Sequence, residues 1–391
     1  MFSSRVPGQL EPNRLTRALR GARAKGQPLL DLTVTNPTIV DIEYPPGLLD
    51  PLAHARALTY EPSPFGLAGA RAAVAHDYAR RGIAVATEHV VLTASTSEAY
   101  SLLFKLLCEP DGDAVLAPVP SYPLFDHLMR LDGVSPVPYR LEYHGRWTVD
   151  VGSVDGAWLE TVRAIVAVSP NNPTGSILTA DERDALGARC AERRAALILD
   201  EVFADYPLHD GTLTAGSHRE SAADRCLTFR LGGLSKSAGL PQLKLGWIAV
   251  SGPPDLRDGA IERLEMISDT YLSVATPVQV AAPALLASAG AVRDAITARI
   301  RTNYAELRTS AAANPAVQVL NAEAGWSAVI RIPATAPEED FVVNLLQRDG
   351  VIVHPGFFFD FPAEAFLVVS LLPKPPCFAE GVRRIVERAR G

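Results

Sequence analysis

Gly232-Gly233-Leu234-Ser235-Lys236-Ser237-Ala238-Gly239 follows an apolar, strand-like segment, Cys226-Leu227-Thr228-Phe229-Arg230. A lysine among small residues at a strand end is placed to meet a ligand; a solvated loop lysine is the bland alternative. Three upstream segments weigh against the second reading. Ser169-Pro170-Asn171-Asn172-Pro173-Thr174-Gly175 follows the apolar run Ala164-Ile165-Val166-Ala167-Val168. Leu197-Ile198-Leu199-Asp200-Glu201 ends another, and Thr93-Ala94-Ser95-Thr96-Ser97-Glu98-Ala99 opens a helix. Asn172 and Asp200 stand 28 residues apart, and Asp200 and Lys236 stand 36 apart. An amine, a carboxylate, an amide and a helix start thus recur in order. Each lies at the carboxyl end of a predicted strand, where open parallel sheets bind their ligands.

Working outward, short apolar strands alternate with helical patterns, which predicts an α/β fold with a mainly parallel, mixed sheet flanked by helices. Val90–Thr93, Ala114–Ala117, Ala164–Val168, Ala196–Leu199 and Leu245–Val250 read as strands. A helix runs from about Thr96 to Cys108. Thr179-Ala180-Asp181-Glu182 is a capping box that opens a helix to about Arg194. Near Pro277 the pattern changes to a long Ala-rich helical stretch. A smaller α/β region follows: a strand at Ser327–Ile332, a helix from Glu338, a strand at Val351–Val353 and another at Phe366–Leu371. The expected division is residues 1–45 as an N-terminal arm, 46–276 as a large domain, and 277–391 as an interdomain helix with a small C-terminal domain.

Composition narrows the class. The chain has 391 residues, 48% hydrophobic and 21% charged, so a large core and two domains are expected. Net charge is -7 with no basic run of five, which argues against nucleic acid and anionic membranes as partners. The four cysteines, Cys108, Cys190, Cys226 and Cys377, have no metal-binding spacing and read as reduced thiols of a cytoplasmic protein. No signal core opens the chain, and its apolar runs look too short to span a bilayer.

The motifs around Lys236, Asp200, Asn172 and Ser95-Thr96-Ser97 resemble those of the class I/II aminotransferases, the fold-type I pyridoxal phosphate enzymes. The resemblance covers about Asp31 to Arg384. It implies pyridoxal 5'-phosphate as cofactor and Lys236 as its covalent anchor, a neutral amine condensing with the aldehyde. Asp200 would pair with the pyridine nitrogen and keep the ring a strong electron sink; taken without the lysine motif, it reads rather as a helix N-cap. Ser95, Thr96 and Ser97 would hold the phosphate at a helix N-terminus, although plain N-capping explains the same residues. Ser235 and Lys244 would join them. Tyr122 would stack on the ring, Asn172 would bond the ring oxygen and a substrate carboxylate, and Thr35 and Trp326 would fall at the substrate end. Tyr60 resembles a tyrosine that reaches the other subunit's phosphate, which implies a homodimer.

Four departures qualify the resemblance. The family usually has a tyrosine three residues after the aspartate; here it is Phe203. The phosphate-binding arginine eight residues after the lysine is Lys244, a point charge that cannot fork. The serine three residues before the lysine is Gly233. The carboxylate-binding arginine on the last strand aligns with Val368, and no arginine occurs between Arg348 and Arg383. Arg331, His354 and Lys374 are the nearby cations that could substitute. The expected activity is amino transfer between an amino acid and a 2-oxo acid by ping-pong chemistry, with an atypical carboxylate end. A pyridoxal phosphate lyase, decarboxylase or oxidase is the alternative.

Overall fold

The computed structural model describes residues 2–8, 11–211 and 225–390. Its strands are β1 (Leu30–Asp31), β2 (Val90–Thr93), β3 (Ala114–Val119), β4 (Ser135–Tyr143), β5 (Trp147–Val149), β6 (Val162–Val168), β7 (Ala196–Asp200), β8 (Thr228–Gly233), β9 (Gly246–Ser251), β10 (Gln318–Val319), β11 (Ser327–Arg331), β12 (Val351–Ile352), β13 (His354–Pro355) and β14 (Phe366–Ser370). Its helices are α1 (Arg14–Ala24), α2 (Ala68–Arg80), α3 (Thr96–Leu107), α4 (Leu124–Leu131), α5 (Val151–Ala157), α6 (Ala180–Arg193), α7 (Leu234–Ser237), α8 (Pro254–Tyr271), α9 (Thr276–Ala312), α10 (Glu338–Asp349) and α11 (Pro375–Arg388).

Eight strands form the main sheet in the order β2-β9-β8-β7-β6-β3-β4-β5. The centre from β8 to β4 is parallel; β9 and β5 pair antiparallel, so the sheet is mixed. Its middle strands are apolar on both faces. In β6, Ala164, Val166 and Val168 pack towards α3 and α4, while Ile165 and Ala167 pack towards α6. Helices on both faces of a parallel sheet require this near-continuous apolar run. The capping box at Thr179 and Glu182 is present and starts α6.

A second sheet, β10-β11-β14-β13, is antiparallel. Its Ala328, Ile330, Leu367 and Val369 face a core shared with α9, α10 and α11. Val329 and Val368 point the other way, into the cluster that contains Leu197, Leu199 and Trp147 of the main sheet. The N-terminal arm reaches this region: β1 pairs in parallel with β12.

The 37-residue helix α9 joins the two cores. By length and composition it could cross a membrane, contrary to the reading that the apolar runs are too short. Its apolar residues are spent inside the protein instead. Ala281, Leu285 and Ala289 pack under the main sheet, and Ile296, Ile300 and Leu307 pack under the second.

Strand β8 begins and ends two or three residues later than the apolar pattern suggests, because it runs on through Gly232 and Gly233. A Cβ on Gly232 would lie 2.4 Å from Nε1 of Trp247 on β9, so only glycine lets these strands pair closely. The register carries the chain straight into α7 and Lys236.

Candidate active site

Lys236 lies on α7, the single helical turn that follows β8. Its Nζ sits 4.7 Å from the centre of the Trp326 ring and 5.3 Å from that of Phe203. Burial lowers its pKa to about 8, against the opposing pull of the Asp200 carboxylate. A measurable fraction is therefore the neutral, nucleophilic amine near pH 7.

Asp200 is the last residue of β7 and is buried. Its Oδ2 accepts the Tyr100 hydroxyl at 2.9 Å, and its Oδ1 accepts the Val202 N–H at 3.1 Å. Burial raises its pKa to about 6, although those two hydrogen bonds favour the charged form. A buried carboxylate held this way suits a cationic partner. No helix follows Asp200, but its bond to the Val202 N–H starts the turn at residues 202–205, so a capping role is present as well.

Ser95 is the N-cap of α3, and its Oγ accepts the Glu98 N–H at 3.1 Å. The plain capping role is thus present, while the hydroxyl hydrogen stays available to a ligand. Thr96 and Ser97 are the first two helical residues, with their amides at the positive end of the helix dipole. Gly246 packs against this turn: a Cβ there would lie 2.9 Å from the Ser95 carbonyl carbon and 3.0 Å from the Thr96 nitrogen. That contact carries the approach to β9, with exposed Lys244 at φ 50°, alongside the start of α3. Ser235 is partly exposed next to Lys236.

Asn172 is half-buried, and its Oδ1 accepts the Ser327 hydroxyl of β11 at 3.3 Å, a bond that leaves its Nδ2 hydrogens unused. Its neighbour Asn171 is structural: its side chain donates to Ser121 at 3.2 Å and accepts from Thr174 at 2.9 Å. Tyr122 is 41% exposed, and the charge of Asp200 adds to burial in raising its phenol pKa. Its ring meets Phe125 edge-on at 6.1 Å.

The substrate-end residues are less concentrated. Trp326 is fully buried and meets Phe203 at 5.4 Å and Tyr206 at 5.0 Å, both edge-on. Thr35 is exposed on the arm, three residues after Leu32, whose carbonyl accepts the Ser370 N–H at 2.7 Å. His354 pairs with Val368, and Val368 pairs with Val329, so the three share one sheet face. Burial lowers the His354 pKa, partly offset by Asp31.

The other two candidate cations lie in different surroundings. Arg331 is exposed at the far end of β11, four residues from Ser327, or roughly 13 Å at the rise of a strand. Lys374 forms an ion pair with Asp41 at the start of α11, so its charge is already engaged. Tyr60 is 73% exposed and lines a cleft with Tyr271, Ser273 and Gln279, none of which belongs to the Lys236 group.

Tyr100 and Tyr206 belong to this site and carry no motif of their own in the sequence reading. Tyr100 follows Thr96 by four residues, on the same helical face, and that spacing was its signal. Tyr206 is fully buried, three residues after Phe203, and its hydroxyl donates to the Lys236 carbonyl. Ser327 comes from the distant second sheet, and nothing local announces it.

An amine near a buried carboxylate, with a hydroxyl-bearing helix N-terminus at the ends of strands of the same sheet, suits an α/β enzyme of the pyridoxal phosphate type. The family model for aminotransferase class I and II matches residues 51–376, and the chain belongs to that family. Its members use pyridoxal phosphate, and the donor set described here fits that group. An alanine aminotransferase of Mycobacterium bovis is 26% identical over 374 residues, 93% of this chain and 86% of that enzyme. A glutamate-pyruvate aminotransferase of Haemophilus influenzae is 29% identical over 257 residues, covering 65% of this chain and 63% of the relative. An aminotransferase structure from Escherichia coli matches with TM-score 0.87 at 21% identity, over 100% of this chain and 98% of the other, which shows the fold-type I architecture.

Proposed function

We propose that the protein moves an amino group from an amino acid to a 2-oxo acid in ping-pong fashion, with Lys236 as the covalent anchor and proton carrier. The observation that carries this reading is the Lys236 amine, buried against Trp326 and Phe203, with its pKa brought down to about 8. Bound pyridoxal phosphate supplies the electron sink that lets a substrate Cα–H bond break. Asp200, held by Tyr100 and Val202, would pair with the cationic ring nitrogen and keep that sink strong. The start of α3, with Thr96, Ser97, Ser95, Ser235 and Lys244, binds the phosphate. Asn172 offers its Nδ2 to the ring oxygen and a substrate carboxylate oxygen. Lys236 Nζ, once free, would carry the proton removed from the substrate Cα to the cofactor carbon it had itself been bonded to.

The carboxylate end is atypical on this reading. Val368 occupies the clamp position and is buried, with His354 beside it on the same face. The substrate carboxylate therefore rests on Asn172, main-chain donors and His354 rather than on a guanidinium. The two-domain division at 45 and 276 accompanies this reading. So do a homodimer in which Tyr60 crosses to the other subunit and a cytoplasmic location in keeping with four free thiols.

The relatives' names make alanine and glutamate the first donors to assay. With alanine, the loaded protein should yield pyruvate stoichiometrically without ammonia. Added 2-oxo acid should then regain the starting spectrum. Release of ammonia or CO₂ in place of amino transfer would favour the lyase or decarboxylase alternative.

A further inference from the structure

Three long side chains from three distant segments converge on the backbone of the Lys236 loop. The Tyr206 hydroxyl donates to the Lys236 carbonyl. The Arg293 guanidinium, on α9, donates to the Ser237 carbonyl at 3.2 Å. The Tyr44 hydroxyl, on the arm, donates to the Gly239 carbonyl at 2.6 Å. The Gly239 N–H reaches the Lys236 carbonyl at 3.1 Å, and the three side chains supply donors to the carbonyls that a single helical turn leaves open at its end.

Tyr206 also touches the other end of the lysine. Its ring packs on Trp326, and that indole lies against Lys236 Nζ. Its carbonyl accepts the Gly325 N–H at 2.8 Å, which ties the same residue to the segment carrying Trp326. Backbone and side chain of Lys236 are therefore referenced to one buried tyrosine.

We propose that Tyr206 and Arg293, with Tyr44, are positioning residues that cover the carbonyl oxygens of the Lys236 loop and so keep its amine aimed and reactive. The proposal rests on the reading that Lys236 carries the cofactor. On this proposal, a loop that loses these donors can turn its carbonyls towards the amine, where they would stabilise the ammonium and raise its pKa. Removing Arg293 acts in the same direction, because a nearby cation is lost and Asp77, 3.7 Å from it, is left less compensated. Asp200 from β7 and the Phe203 and Trp326 rings surround the Lys236 amine, while Tyr206, Arg293 backed by Asp77, and Tyr44 meet the backbone of its loop.

The test is the pH profile of Lys236 acylation by a small reagent in the full-length, cofactor-free chain, read by mass spectrometry of its peptide. Tyr206→Phe keeps the ring packing, and the Gly239 N–H still reaches the Lys236 carbonyl at 3.1 Å. Its midpoint should rise by about half a pH unit, and pyridoxal phosphate uptake below the midpoint should slow roughly threefold. Arg293→Met should shift the midpoint the same way, and Arg293→Lys should restore it. If Tyr206→Phe does not fold, the Arg293 pair decides alone. Unchanged midpoints in the folded variants overturn the proposal, even if turnover falls, because a purely structural brace would not move a titration. Borohydride mapping of the wild type separates this from failure of the cofactor reading: cofactor on another lysine sinks that reading and leaves the midpoint result standing.

Discussion

The cofactor end and the substrate end of this site are built differently. At the cofactor end, Ser95–Ser97, Asp200 and Lys236 all sit at the ends of strands of one sheet, each on the first residues after an apolar run. At the substrate end, Thr35, Asn172, Trp326, His354 and Val368 come from the arm, the main sheet and the second sheet. The first arrangement depends on strand order alone; the second depends on how two cores meet. Chemistry common to a family concentrates where geometry is cheapest to maintain, and substrate choice falls where segments from several parts of the chain have to agree. The comparison breaks if the cofactor end proves unnecessary. Lys236→Ala should abolish cofactor attachment and all turnover, the largest effect expected here. Reduction with borohydride and peptide mapping checks it: cofactor retained covalently at another lysine removes the anchor from this position.

The same comparison has an energetic side. Burying Lys236 suits chemistry, not stability. Its pKa falls from 10.5 unfolded to about 8 folded, so between those values the folded chain binds fewer protons than the unfolded chain. Stability therefore rises as pH climbs from 8 to 10.5, and at pH 7 the full penalty of about 3 kcal/mol applies. Lys236→Met should stabilise the cofactor-free chain at pH 7 by an amount of that order, and by almost nothing above pH 10.5. Urea unfolding at pH 7 and pH 10.5 measures it. Equal stabilisation at both values would mean that the gain comes from packing, not from the removed charge.

Much of the cofactor end was legible because its signals are local. The capping box at Thr179, the Asn172 turn and the Leu-Ile-Leu lead into Asp200 each need only a few neighbouring residues. Tyr100 was legible in principle, one helical turn beyond Thr96. Other features were not, for identifiable reasons. Strand β4 contains Pro136 and Pro138, and proline argues against a strand next to an ordinary neighbour. Strand β8 continues through two glycines because Trp247 leaves no room for a side chain at Gly232 and the Leu245 carbonyl crowds one at Gly233. Arg331 is singled out by its charge, and strand register puts it at the end of β11 away from Ser327. Lys374 looked free, yet Asp41 of the arm claims it. Register and long-range pairing are properties of the assembled chain, and the substrate end is made of little else.

Phe203 sharpens the comparison from the boundary between the two ends. Its ring lies beside Lys236 Nζ and Trp326, in the place where the family usually carries a hydroxyl. Phe203→Tyr should add a donor to the bound cofactor's ring oxygen. One hydrogen bond to a charged group is worth on the order of 1–2 kcal/mol, or about one pH unit. The visible-band titration of the loaded protein should move down by that amount. An unmoved titration would place residue 203 away from the ring oxygen.

The smallest effects belong to the substrate end, and they separate three cations that the sequence alone could not rank. Arg331 is exposed and remote, and Lys374 is held on the surface by Asp41. Alanine at either position should leave the KM of the amino donor within about twofold, as expected for exposed charges. His354 differs because it shares a sheet face with Val368 and its pKa is depressed by burial. That depression favours the neutral imidazole near pH 7, which offers a hydrogen bond rather than a charge. His354→Ala should therefore raise KM by about 3- to 10-fold, the worth of roughly 1 kcal/mol, with kcat little changed. The pH dependence gives the sign. As pH falls through its lowered pKa, the imidazole gains a proton and a carboxylate binds better, so wild-type KM should fall with acidity and the alanine variant should lose that slope. If instead Arg331→Ala raises KM more than His354→Ala does, the carboxylate lies along β11 towards its exposed end. The face shared by Val329, Val368 and His354 would then be core and not substrate wall.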